Sequence, residues 1–179
     1  NIAQLKTIND NTDGEITLNS YAVALSGTSA EVAAALSGTF AANYTGDVSV
    51  SNAHTIAQLI TINNGTTGEI TLTDYSVALS GTSAEVIAAL SGTFAADYTG
   101  DVTVSNAPNV AQLKAINAAT SGDITLTTTD GALSGTAADL VDAFAGTVTQ
   151  HTGTVSVSNA HNIAQLKTIN DNTDGEITL

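Results

Sequence analysis

Cysteine, methionine, tryptophan and arginine are all missing from the chain of 179 residues. Without cysteine there is no disulfide framework and no thiol chemistry. With three lysines, no arginine and a formal charge of -14, the chain cannot neutralise a phosphate backbone, so nucleic-acid binding is excluded. The same deficit argues against docking on anionic lipid. No apolar run approaches the roughly 20 residues of a membrane span. Aromatic residues are few, with four Tyr and three Phe, so any core must be thin and built from Ala, Val, Ile and Leu. No secretion signal is visible, but the first residue is not Met and falls inside a repeat.

What the chain does have is self-similarity. Residues 16–40 read ITLNSYAVALSGTSAEVAAALSGTF and residues 70–94 read ITLTDYSVALSGTSAEVIAALSGTF, with four of 25 positions different. Residues 124–148 are a more divergent third copy. The segment IAQL begins at Ile2, Ile56 and Ile163, and VAQL at Val110, giving spacings of 54, 54 and 53. Residues 1–18 and 162–179 are identical. The expectation is a parent chain that continues in both directions. The units run over residues 2–55, 56–109 and 110–162, with a partial one at 163–179, in a single continuous array.

Each unit is itself two related halves. A small residue, an acid or amide, then Leu or Val recurs at Ala3-Gln4-Leu5, Ala30-Glu31-Val32, Ala57-Gln58-Leu59, Ala84-Glu85-Val86, Ala111-Gln112-Leu113 and Ala138-Asp139-Leu140 in steps of 27. Ala164-Gln165-Leu166 follows after 26. Thr28, Thr55, Thr82 and Thr136, or Asn1, Asn109 and Asn162, stand three residues before the acid or amide, which is the capping box of a helix N-terminus. Gly38, Gly92 and Gly146 read as left-handed helix stops, and Asn9, Asn63, Asn117 and Asn170 as stops of a second class.

Strand signals alternate with the helices. Ile16-Thr17-Leu18, Val48-Ser49-Val50, Ile70-Thr71-Leu72, Val102-Thr103-Val104, Ile124-Thr125-Leu126 and Val155-Ser156-Val157 are β-branched with period two. Strand and helix alternating in one direction demand parallel pairing. The predicted fold is an α/β solenoid, with coils of about 27 residues paired into repeats of about 54. Strands stack about 4.8 Å apart and helices 8–10 Å apart. That mismatch leaves open a curved array and a three-sided parallel β-solenoid with helical corners, the latter with a second strand near Tyr75-Ser76-Val77.

The candidates for chemistry are weak. His54 and His161 share one repeat position, where the third copy has Pro108, so a catalytic histidine is not indicated and His54, His151 and His161 read as exposed loop residues. Asn9-Asp10-Asn11-Thr12-Asp13-Gly14-Glu15 resembles a calcium loop, but Ser20 stands where an EF-hand needs its twelfth-position acid, and Asn63-Asn64-Gly65-Thr66-Thr67-Gly68 has lost the acids. A helix-to-strand turn is the preferred reading. No catalytic, cofactor or metal residue is assigned, with surface-bound calcium as the minor alternative. Ser49/Ser51, Thr71/Thr73, Thr103/Ser105, Thr125/Thr127 and Ser156/Ser158 would stack as two ranks of hydroxyls on one sheet face. Asn43-Tyr44-Thr45 and Asn64-Gly65-Thr66 are formal glycosylation sequons.

The strings IAQLKTIN, TGEITLTD, LSGTSAEVIAAL and DVTVSNA resemble the repeats of giant extracellular proteins of marine cyanobacteria and other bacteria. These include haemolysin-type adhesins and a surface protein linked to swimming motility. The resemblance covers the whole chain. It implies an extracellular or cell-surface location and a structural, adhesive or spacer role without enzymatic activity. The expected function is a stalk, fibre shaft or surface-layer element whose partners are neighbouring repeats and laterally associated copies. An ice- or polysaccharide-binding face is the alternative, and a protein-binding solenoid the second alternative.

Overall fold

The structure is a computed structural model describing residues 1–179. It is α/β, with short parallel strands alternating with short helices. The chain divides into two compact units whose boundaries interleave: residues 1–77 with 88–97, and residues 78–87 with 98–179.

In the first unit the order is α1 (Ile2–Asp10), β1 (Leu25–Gly27), α2 (Ser29–Leu36), β2 (Val48–Val50), α3 (Ile56–Gly65) and β3 (Ile70–Leu72). The three strands form one parallel sheet in the order β1-β2-β3, with Leu25, Val48 and Ile70 in register. Helix α2 packs between α1 and α3. The second unit has β4 (Leu79–Gly81), β5 (Val102–Val104), α5 (Val110–Ala119), β6 (Ile124–Leu126), β7 (Leu133–Gly135), α6 (Ala137–Ala143), β8 (Val155–Val157), α7 (Ile163–Asp171) and β9 (Ile177–Thr178). Its two sheets, β4-β5-β6 and β7-β8-β9, repeat the first sheet's register, and α6 packs between α5 and α7. Helix α4 (Ser83–Leu90) begins in the second unit and ends in the first.

The helices start where the capping boxes predict. Asn1, Thr28, Thr55, Asn109 and Asn162 each accept from the third helical residue, whose side chain reaches back to the cap N–H. Thr82 and Glu85 make the same exchange at α4, and Thr136 caps α6. With 7 to 10 residues apiece, these helices fall short of the roughly 12–15 that a free helix needs. Tertiary burial supplies the difference. Leu59 and Ile62 on α3, and Leu113 and Ile116 on α5, have no exposed surface. Each such side chain contributes about 1.5–3 kcal/mol. The strands bury alternate residues, as in Val48 and Val50 around exposed Ser49.

Three sequence expectations are corrected. Ile16-Thr17-Leu18 is not a strand: Ile16 makes only an isolated bridge with Phe40. Tyr75-Ser76-Val77 is not a strand either, and the additional strands are the two-residue β9 and the Leu-Ser-Gly segments β1, β4 and β7. Their single inward leucine and their glycine give no β-propensity signal, but the leucine docks beside the predicted valine of the next strand. Finally, no residue, glycine included, has positive φ, so the helices do not end in left-handed caps. The glycines serve close approach instead. A β-carbon on Gly68 would lie 2.4 Å from the Gly46 carbonyl oxygen, and one on Gly122 2.4 Å from that of Gly100. The predicted asparagine stops Asn9, Asn63, Asn117 and Asn170 lie inside helices.

Candidate functional site

Polar side chains that could face a ligand fall into four groups: the hydroxyl ranks, the asparagines, the turns after the helices, and the histidines.

The register places Ser26, Ser49 and Thr71 side by side in the first sheet, with Ser80, Thr103 and Thr125 and then Ser134, Ser156 and Thr178 in the other two. This rank lies on the side of each sheet away from the core. The threonines of the second rank turn back on the protein. Thr73 Oγ1 donates to the Val50 carbonyl at 2.7 Å and Thr127 Oγ1 to the Val104 carbonyl at 3.1 Å. At the corresponding place beside them, Thr28 and Thr136 are helix N-caps. One full rank of hydroxyls per sheet is therefore available, with the exposed Ser51, Ser105 and Ser158 left from the second.

The asparagines clamp one helix to the next. Asn9 Nδ2 donates to the Ala34 carbonyl at 2.7 Å and to Ser37 Oγ at 2.8 Å. Asn63 does the same to Ala88 and Ser91, and Asn117 to the Asp142 carbonyl at 2.8 Å. Lys114 reinforces the α5–α6 contact through Asp139 at 2.7 Å and Asp142 at 2.9 Å, which raises the lysine pKa and lowers that of Asp139.

The calcium-like segment is a turn. Thr12 Oγ1 accepts from the Gly14 N–H at 3.0 Å, and Thr66 and Thr120 repeat this with Gly68 and Gly122. Thr66 and Thr120 are buried and also donate to the Gly46 and Gly100 carbonyls, both at 2.8 Å. Asp10 pairs with Lys6. No group of three or more His, Asp or Glu residues has the arrangement of a metal site. The sequon residues Asn43 and Asn64 are exposed and line one open groove of about 280 Å³, together with Phe40, Gly65 and Thr67.

Two histidines are buried, which corrects their reading as exposed loop residues. His54 is 5% exposed and His151 2%. Burial lowers the pKa of both, opposed by Asp74 at His54 and by the Gly131 backbone and Asp130 at His151. His161 is half-buried, with its Nδ1 3.1 Å from the Asn159 carbonyl oxygen. Pro108, at the repeat position of His54, is also buried. His54 and Pro108 thus both fill buried slots at that position.

No helix is long and apolar enough to cross a membrane. No family model, curated protein or solved structure matches the chain.

Proposed function

We propose that this chain is a structural repeat array, an α/β solenoid serving as stalk, fibre shaft or surface-layer element of a large extracellular or cell-surface protein. The observation that carries the reading is where the polar groups point. Asn9, Asn63 and Asn117, Thr73 and Thr127, and Thr66 and Thr120 all spend their bonds on a neighbouring half-repeat. Each class recurs at the same place in successive repeats, so the molecule's recognition chemistry is directed at its own kind. What is left outward is the acidic surface of a chain with charge -14. Such a surface repels its copies at low salt and is screened beyond about 8 Å at physiological ionic strength. The role is one of spacing or covering, without catalysis. Millimolar divalent cations would bridge neighbouring copies laterally.

Small-angle scattering of chains with three and five repeats, with and without millimolar Ca²⁺, is the test. The maximum dimension should grow linearly with repeat number. A particle of constant aspect ratio would refute the shaft, whereas indifference to Ca²⁺ would remove only the bridging.

The outward rank Ser26-Ser49-Thr71 and its counterparts support a second reading, an ice- or polysaccharide-binding face. Thermal hysteresis and a glycan array test it directly.

A further inference from the structure

His151 stands where the two preceding repeats have tyrosine. Residues 43–47 read Asn-Tyr-Thr-Gly-Asp, residues 97–101 Asp-Tyr-Thr-Gly-Asp, and residues 150–154 Gln-His-Thr-Gly-Thr. Tyr44 is buried, and its hydroxyl donates to the Val23 carbonyl. Gly131 is the third repeat's counterpart of Val23. An imidazole is shorter than a phenol and leaves the corresponding bond unmade. The Gly131 backbone lies near the ring, yet neither ring nitrogen of His151 has a hydrogen-bond partner. Phe144 lies beside the ring, with centroids 6.2 Å apart. The remaining space, walled by Pro108, Leu113, Leu126 and Leu133, is too narrow for water.

The backbone of the same residue holds the segment after α7. The His151 N–H donates to the Asn172 carbonyl at 3.1 Å. Its carbonyl accepts from the Asp174 N–H at 2.8 Å and from Thr173 Oγ1 at 3.2 Å.

We propose that His151 is an acid-sensitive latch: a proton on its ring releases residues 172–178 and α7 from the preceding half-repeat, while the tyrosine-bearing slots stay closed. In this dry slot burial disfavours a charged imidazole more than the nearby Gly131 backbone and Asp130 favour it. The charged groups near the slot are Asp130, before β7, and the exposed Asp174, after α7. From α5, β6 and β7 the slot receives only leucines, and Lys114 of α5 is held by Asp139 and Asp142. In the unfolded chain the ring takes up a proton below its ordinary value of 6.5, and in the fold only at lower pH. The unfolded state therefore binds more protons, and the latch weakens as pH falls below about 6.5.

The test is amide hydrogen exchange of the whole chain at pH 7.5 and 5.0, corrected for intrinsic rates. Protection at His151 and Asp174 should fall several-fold, because the unfolded ring binds its proton more readily than the buried one. His151→Tyr should abolish the fall. If the phenol does not fit beside Gly131, His151→Gln, which cannot titrate, serves instead. His54→Gln should leave the fall intact. Unchanged wild-type protection at pH 5.0, or a fall that persists in the His151 variants, would overturn the latch.

Discussion

The side chain of Asn9 fills the space that a β-carbon on Gly38 would need, with its Oδ1 2.0 Å from that position. Asn63 and Gly92 repeat the relationship at 1.8 Å. Each glycine thus keeps room for the amide that clamps two helices together. Gly38→Ala should cost about 1–3 kcal/mol as overpacking. Asn9→Ala should cost about 1 kcal/mol by removing the bonds to Ala34 and Ser37. Because the alanine at 38 clashes chiefly with the amide, with the flexible Ile16 Cδ1 next at 3.1 Å, the double variant should be more stable than the sum predicts by about 0.5 kcal/mol or more. Urea melts of the four proteins measure this, and strict additivity would contradict it.

Burial ranks the histidines. His54→Ala empties a core position and should cost about 2–4 kcal/mol, as other large-to-small core changes do. Thr55→Ala, beside it, removes an N-cap worth about 1 kcal/mol. His161→Ala should cost less than about 1 kcal/mol, as changes outside the core usually do. Thermal melts of the three variants should preserve that order.

Glu31 and Glu85 accept from the backbone N–H and the hydroxyl of their capping threonines, Thr28 and Thr82, which lowers both carboxyl pKa values. Their contribution to stability is present above the unfolded value of 4.5 and is lost as pH falls through the lower folded value. Gln58 and Gln112 occupy the same position with an amide that does not titrate. The double variant Glu31→Gln/Glu85→Gln should be slightly less stable than the parent near pH 7 and should show a shallower loss as pH falls below 4.5. A steeper loss in urea midpoints would contradict the capping assignment.

Stability should depend on repeat number. One 54-residue repeat exposes the helix and strand faces that its neighbours cover, and should be mostly unfolded, whereas three should fold. Circular dichroism of chains with one, two, three and five repeats checks this. A single repeat melting at the same temperature as five would contradict it.

The helix starts were legible because a capping box is a local device: Thr28 and Glu31 bond each other whatever surrounds them. Five of the strands were legible because Val48-Ser49-Val50 and its counterparts alternate around a core. The Leu-Ser-Gly strands were hidden because Leu25 becomes a strand residue only through its partner Val48, 23 positions away. The asparagines misled for the same reason. An Asn in a last helical turn looks like a stop, and only the arrival of the next helix turns Asn9 into a clamp. His151 was legible in part, since its alignment with Tyr44 and Tyr98 follows from the repeat, but its burial does not.

No strand in the molecule exceeds three residues, and each sheet stops at three strands. Amyloid-type zippers require unbroken extended windows of about six or seven residues. Valine-rich segments such as Val48-Ser49-Val50 would be aggregation hazards in longer runs, but here Asp47 precedes the strand and Asn52 follows shortly after. Near-identical sequences at high local concentration are the usual setting for misassembly between neighbours. This chain dilutes the hazard by length rather than by proline, of which it has one. Concentrated solutions should therefore precipitate reversibly, when acid or cations quench the net charge, and should yield no thioflavin-positive fibrils.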